Sequence, residues 1–297
     1  MWEERPGFPV PMMARLPGVS RSGYCPWVSA GGPADPLAGL KGVVTGVWEG
    51  SGGVFGWRSV KAELPPERSP SSGRAVKKSM RELGIRGCRP RSRKRTAVRD
   101  PDAPDRPDLV RGRFAPPVPT TVPCGDIAYP KAGEGRPCLA GAVGLAARMV
   151  VGRSLSARVT AGICASALEM AKRRGHVAGN AISRSDRGGR CTGARLAEWA
   201  QRNGVRLSVG RTGCRRDDAV AESLWASLKN EMHHRRTFAT RDEAEFACVD
   251  WMERFCNRSR PRSSIGHRHP AEVMDEFKKR MEGVFERESE TKDYLAA

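Results

Sequence analysis

Three carboxylates carry the most specific chemistry this sequence offers. Asp126 lies in Gly125-Asp-Ile-Ala-Tyr129, a short run that reads as a strand. Asp186 follows a weaker strand pattern over Val177–Ser183 and precedes Arg187-Gly188-Gly189. An acid at a strand end before a glycine turn stands at the rim of a sheet, where α/β sites form. Glu222 falls one turn into a helix pattern running from Asp218 to His233. There Val220, Leu224 and Leu228 form an apolar stripe, while Glu222, Ala226 and Lys229 lie on the other side. Carboxylates that converge can hold two Mg²⁺ ions about 3.5–4 Å apart, the arrangement that drives phosphodiester displacement. Each acid alone also has an ordinary structural use, as turn former, cap or complement to a helix dipole. The separation of 36 positions from Asp186 to Glu222, with 35 residues between, decides nothing by itself.

Other chemistries are poorly supplied. There is no G-K-[ST] phosphate loop, no G-x-S-x-G elbow and no H-E-x-x-H zinc motif. The five histidines include the adjacent His233 and His234, which point to different faces of a helix, and His267-x-His269 in an Arg- and Pro-rich stretch. Nine cysteines form no C-x-x-C pair, and their odd count and irregular spacing argue against a zinc site or a disulfide framework. Reduced thiols in a cytoplasm are the expectation. No run approaches the roughly twenty apolar residues of a membrane span, and the amino terminus lacks the basic start and apolar run of a signal peptide. A cytoplasmic, nucleoid-associated protein with no membrane partner is expected.

The elements that must position the acids come next. After Cys124 the sequence reads as three strands (Asp126–Tyr129, Leu139–Leu145, Met149–Val151), a helix over Ala161–Lys172, the strand before Asp186, and a helix over Thr192–Asn203. A strand over Val205–Val209, the Glu222 helix and a last helix over Phe246–Cys256 complete an α/β domain with a mixed sheet. The expected organisation is a poorly ordered region over residues 1–53, where Gly, Pro and Ser interrupt every candidate helix. A helix-turn-helix-like region with a basic arm follows over 54–98. A Pro-rich linker spans 99–123, the core 124–278, and a charged tail 279–297. In the second region Val60 and Leu64, then Val76, Met80 and Leu83, sit at helical spacing. The whole chain is basic, with 52 Lys+Arg against 33 Asp+Glu and a net charge of +19. A polyanion, and DNA above all, is the natural partner. Arg93, Lys94 and Arg95 of the basic arm, with Arg187 beside Asp186, are candidate phosphate-binding residues.

These pieces together resemble the bacterial insertion-sequence transposases encoded by the second reading frame of a two-frame element, within the retroviral-integrase superfamily. The resemblance rests on Ser185-Asp-Arg-Gly188 with Thr192, on Asp217-Asp-Ala-Val-Ala-Glu-Ser223 followed by Leu228-Lys-Asn-Glu231, and on Gly125-Asp-Ile-Ala-Tyr129 and Arg148-Met-Val-Val-Gly152. Phe255-Cys-Asn-Arg258, Ser263-Ser-Ile-Gly266 and Pro270-Ala-Glu272 extend it downstream; Val19–Tyr24 and Met80–Gly87 extend it upstream. It implies a ribonuclease-H-like integrase core with a mixed five-stranded sheet behind a small helical DNA-binding region. It further implies Asp126, Asp186 and Glu222 as the catalytic, metal-binding triad for two Mg²⁺ or Mn²⁺ ions, and Lys229 as a DNA contact. The partners would be double-stranded DNA (terminal inverted repeats and target), further copies of the chain in a homo-oligomer, and a first-reading-frame transposase protein. The chain departs from the family pattern at Ser183 and Arg184, Arg190 and Cys191, Gly144, Arg216, Asp218 and Arg262. Gly141, Gly144 and Pro137 also weaken strands that should be apolar and β-branched. The expected activity is metal-dependent cleavage and strand transfer at the ends of an insertion sequence. The alternative is a catalytically inactive, DNA-binding remnant on a scaffold worn by drift.

Overall fold

The structure is a computed structural model that describes residues 35–88, 106–157 except 122, 162–185, 193–210 and 219–282, with isolated positions 20, 22, 25, 26, 29 and 160. Asp186, Arg187, Arg93, Lys94 and Arg95 lie outside the described residues.

The first fully described element is a helix where none was expected. α1 runs Ala38–Gly50 despite four glycines, Gly39, Gly42, Gly46 and Gly50, and a glycine inside a helix costs roughly 1 kcal/mol against alanine. Two things outweigh that cost. Asp35 anchors the start: its carboxylate accepts from the Leu37 N–H at 2.9 Å and pairs with Lys41 at 2.5 Å. Leu40 and Val44, one turn apart, are buried against α2 (Trp57–Ala62) and α3 (Gly73–Glu82) with Val60, Leu64, Val76 and Met80. Ser72 caps α3, accepting from the Ala75 N–H at 3.1 Å. Leu83, expected on the buried row, is instead the exposed residue after α3 ends. The helical unit thus reaches back to residue 38, into the stretch read as poorly ordered.

The core is one five-stranded sheet in the order β3-β2-β1-β4-β5. The strands are β1 (Pro123–Ala128), β2 (Cys138–Gly144), β3 (Val150–Ser156), β4 (Ile182–Ser185) and β5 (Arg206–Val209). β1–β2 and β2–β3 are antiparallel, while β4 and β5 run parallel to β1 and to each other. That mixed order is the ribonuclease-H-like arrangement. Pro123 opens β1, the one strand position where a missing N–H does little harm. The strand expected over Val177–Ser183 starts later, at Ile182. Among the described residues no helix is long and apolar enough to cross a membrane.

Two layers of helix cover the sheet. On one face, α4 (Ile163–Arg173) and α5 (Ala194–Arg202) bury Ala142, Val151, Leu168, Ala171, Leu196 and Trp199. α4 lies so close to β3 that a Cβ on Gly152 would stand 2.0 Å from the Ala167 carbonyl oxygen. On the other face, α6 (Ala219–Glu231) and α7 (Arg241–Asp250) pack Leu224, Trp225, Leu228 and Cys248 onto Ala128, Leu139, Val143 and Val150. The last expected helix begins earlier than Phe246: Thr240 and Glu243 form a reciprocal capping box, and the helix continues as a wider π-helical stretch over Trp251–Ser259. A further helical stretch, residues 270–282, has no counterpart in the sequence-based reading. The helical unit docks on the core through Phe55 against Phe255, with ring centroids 5.8 Å apart, and through His269, which meets Glu63 at 3.0 Å.

Candidate active site

Asp126 sits in β1 opposite Gly141 of β2. It is half-buried, and its Oδ1 accepts the Ile127 N–H at 2.7 Å. Partners across an antiparallel pair point to the same side of the sheet, and Gly141 faces α6. A Cβ placed on Gly141 would lie 2.8 Å from Cη2 and 3.0 Å from Cζ2 of Trp225. Trp225 therefore rests directly on the glycine that pairs with Asp126. Glu222 stands three residues before Trp225 on the same helix, about 4.5 Å of rise away, and is exposed. The sheet register and this one indole bring the elements bearing Asp126 and Glu222 together on one face.

Three anchors hold α6 in that place. Trp225 on Gly141 is the middle one. At the carboxyl end, Glu231 takes Arg260 in a forked pair, with Nε at 2.9 and 3.0 Å and Nη2 at 2.5 Å. At the amino end, Ala221 packs with Val110, Leu145 and the half-buried Ile182 and Phe114. The buried stripe is broader than expected: Ala221, Leu224, Trp225, Leu228 and Met232 are buried and Val220 is half-buried. Lys229 lies two turns beyond Glu222 on the same side, half-buried.

Val110 and Phe114 belong to the segment expected to be a free Pro-rich linker. Instead, residues 106–121 are strapped across the sheet. Arg184 of β4, fully buried, pairs with Asp108 at 2.9 Å and sits over the Phe114 ring at 5.4 Å. The Ser208 hydroxyl of β5 accepts from the Leu109 N–H at 3.0 Å, and Arg148 donates to the Phe114 carbonyl at 3.1 Å. Arg184, a departure from the family pattern, has an ion-pair partner in this chain.

The parallel register of β1 and β4 sets Gly125 opposite Ser185. Asp186 is the next residue after Ser185 but lies outside the described residues. Among the described residues no three His, Cys, Asp or Glu side chains gather as a metal cage. Thiol chemistry finds no support on this face either: burial pushes the Cys248 thiol up to about 12, which leaves it an inert part of the core. Sequence reasoning missed Trp225, Gly141, Asp108 and the Glu231–Arg260 pair. Trp225 was detectable, since it lies one residue off the apolar row of its helix. Asp108 had no local signal.

The profile of the integrase core domain matches residues 116–214, and a second profile of the same description matches 203–270. Together they span more than half of the chain and the whole of the sheet. The chain belongs to the integrase-core family. Within that family it is similar to insertion-sequence proteins over most of its length. It is 29% identical over 268 residues to the insertion element IS600 uncharacterized 31 kDa protein of Shigella sonnei, covering 89% of this chain and 98% of that protein. It is also 29% identical over 267 residues to transposase InsF for insertion sequence IS3A of Escherichia coli (strain K12), covering 89% and 93%. Among solved structures it is similar to the HTLV-2 integrase catalytic core domain in complex with magnesium, at 14% identity. That likeness covers 53% of this chain and 97% of that one with a TM-score of 0.42, too loose a superposition to carry an argument. This member of the integrase-core family departs from alternating, β-branched strands at Gly141, and there the structure shows a seat for Trp225 where the sequence suggested wear.

Proposed function

We propose that this chain is a DNA transposase that cleaves phosphodiesters at the ends of an insertion sequence and joins the freed ends to target DNA. Asp126, Asp186 and Glu222 are its catalytic acids. The observation that carries the reading is the seating of Trp225 on Gly141, which ties the Glu222 helix to the register partner of Asp126. The β1–β4 register adds support: after the paired Gly125 and Ser185, the next residue in the sequence is in each case a proposed ligand. Carboxylate oxygens are hard donors and suit Mg²⁺ or Mn²⁺. Asp126 is half-buried and Glu222 exposed, so each carboxylate is accessible to a hydrated cation and to DNA. Two such ions, held by the three acids, supply activation of the attacking oxygen and stabilisation of the leaving one. Water is the first attacker, at the element's end; the 3′-hydroxyl it frees attacks the target phosphodiester. Lys229 and Arg187 hold phosphates beside the acids.

Residues 124–278 form the catalytic unit in this reading, preceded by the Pro-rich segment 99–123. The helices ahead of it, with Arg93, Lys94 and Arg95, form the DNA-binding unit, and 279–297 a charged tail. Two ends must be handled in one event, so the working form is a homo-oligomer on double-stranded DNA, with a first-reading-frame protein as further partner. The test is nicking of a labelled end fragment by the full chain in Mg²⁺ or Mn²⁺. Asp126→Asn and Glu222→Gln should each abolish nicking and leave DNA affinity within about twofold, because neither acid binds phosphate directly. Cutting retained by either variant rejects the assignment. Binding without nicking by the unaltered chain, at every metal concentration, supports the inactive-remnant alternative.

A further inference from the structure

The helical unit carries one surface that the catalytic reading leaves unused. α3 buries Val76, Ser79 and Met80 against α1 and α2. Its opposite side exposes Arg74, Lys77, Lys78 and Arg81. Those positions are i, i+3, i+4 and i+7, so the four cations form a single row along the helix. The row does little for the helix that bears it, beyond Arg81 complementing the negative end of the dipole in the last turn. Like charges three and four apart repel one another. Arg74, in the first turn, opposes the positive end of the helix dipole, and that turn contains no acid. The one acid of α3, Glu82, is turned toward Lys41 at 2.8 Å and holds Lys78 only loosely at 3.8 Å. The Lys41 ammonium keeps the Glu82 carboxyl below its ordinary range, so the acid stays ionised on its own pair. A row of cations that costs its helix stability, on the outside of a docked three-helix unit, calls for an external polyanion.

We propose that α3 is the groove-entering helix of this protein, and that Arg74, Lys77, Lys78 and Arg81 grip the phosphates of duplex DNA. This rests on the reading of the chain as a DNA-handling enzyme, but not on its catalytic acids. Geometry favours duplex DNA. An α-helix with its side chains is about 10–12 Å across, which fits a B-DNA major groove roughly 12 Å wide, and the row from Arg74 to Arg81 runs about 10 Å along it. The deep, narrow major groove of an RNA duplex does not admit a helix. α3 is also free to approach: its inner side is closed by its own core, and its Ser72 cap lies at an exposed turn. The basic run Arg89–Arg95 follows it in the chain and supplies further charge.

The experiment uses the full chain and a random-sequence 30-base-pair DNA duplex, followed by fluorescence anisotropy across KCl concentrations. The variant Arg74→Ala/Lys77→Ala/Lys78→Ala/Arg81→Ala is compared with a control that removes the same charge elsewhere, Arg254→Ala/Lys278→Ala/Lys279→Ala/Arg280→Ala, all exposed residues of the core's carboxyl-terminal part. Each phosphate that is no longer neutralised lowers the slope of log K against log salt by about 0.9. The α3 variant should therefore fall by about 3.6 in slope and bind roughly tenfold or more weakly, with a melting temperature no lower than the parent's. The control should fall by less than about 1. Equal reductions in both variants would make the attraction a diffuse effect of net charge and overturn the proposal, as would an unchanged slope in the α3 variant or tighter binding to RNA duplex than to DNA. Nicking separates this from the catalytic reading. A chain that never nicks but shows the α3-specific fall in slope retains this inference and loses the other; one that nicks with no α3 effect does the reverse.

Discussion

Gly141→Ala separates two accounts of the same glycine. If Gly141 were mere wear in a strand, alanine would stabilise the protein by about 0.5–1 kcal/mol, because glycine gives up more backbone freedom on folding. The structure demands the opposite sign. The new Cβ would stand 2.8 Å from Trp225 Cη2, whereas carbon atoms rest at about 3.5–4.0 Å. At least about 0.7 Å must be recovered. Trp225 is 3% exposed, enclosed by Leu224, Leu228 and the core around them, so the helix has to lift with it. Overpacking of this kind costs about 1–3 kcal/mol. Glu222, one of the proposed catalytic acids, rides on the same helix, and a catalytic group misplaced by about 1 Å loses on the order of 100-fold in rate. Urea unfolding and metal-dependent nicking are the assays: a drop of about 1–3 kcal/mol, a 10- to 100-fold slower rate, and DNA affinity unchanged. Trp225→Phe shortens the ring that clashes, so the double variant should recover stability relative to the sum of the singles by about 1 kcal/mol. A Gly141→Ala protein as stable and as active as the parent would refute the argument that this packing sets the position of α6.

The remaining predictions concern the supports around the site. Asp108→Asn removes the anionic partner from fully buried Arg184 and should destabilise the fold by about 3 kcal/mol, the scale for breaking a buried pair; thermal melting checks it, and an unchanged midpoint would contradict the strap. Asn257, 1% exposed, accepts from the Val150 N–H at 2.8 Å and donates to the Val150 carbonyl at 3.0 Å. Asn257→Leu should cost about 2–4 kcal/mol, from two buried backbone groups left without their partner, and hydrogen exchange at β3 should quicken. His176 and His233 both titrate below the ordinary histidine value of 6.5, chiefly because burial disfavours their charged forms. The unfolded chain takes up those protons first on acidification, so stability is complete above about pH 6.5 and falls as pH drops through the lowered folded values. The urea midpoint should decline as pH falls below about 6.5, and His176→Gln/His233→Gln should flatten that decline.

Much of the fold was legible because its signals are local. Strand alternation, helical rows and a composition change near Cys124 follow from neighbours within a few residues, and the order of core elements came out correctly from them. Glycine content misled, since propensity is a weak local term. α1 keeps four glycines because burial of Leu40 and Val44 outweighs them, and that burial depends on α2 and α3. The Pro-rich segment misled for the same reason: its prolines remove regular structure, but they say nothing of where an irregular segment docks.

The residue types of the chemistry (three acids on strand and helix patterns in a strongly basic chain) were determined by the sequence alone, as was the resemblance those motifs carry. What only the tertiary structure decided was the purpose of the residues between them: Gly141 as a seat, Asp108 as the partner of Arg184, Asn257 as the clamp on β3. The reason is separation along the chain. Asp108 and Arg184 are 76 positions apart, and Asn257 and Val150 are 107. No periodicity spans such distances. A glycine that fits an indole and a glycine that weakens a strand are the same letter until the opposing helix is in place.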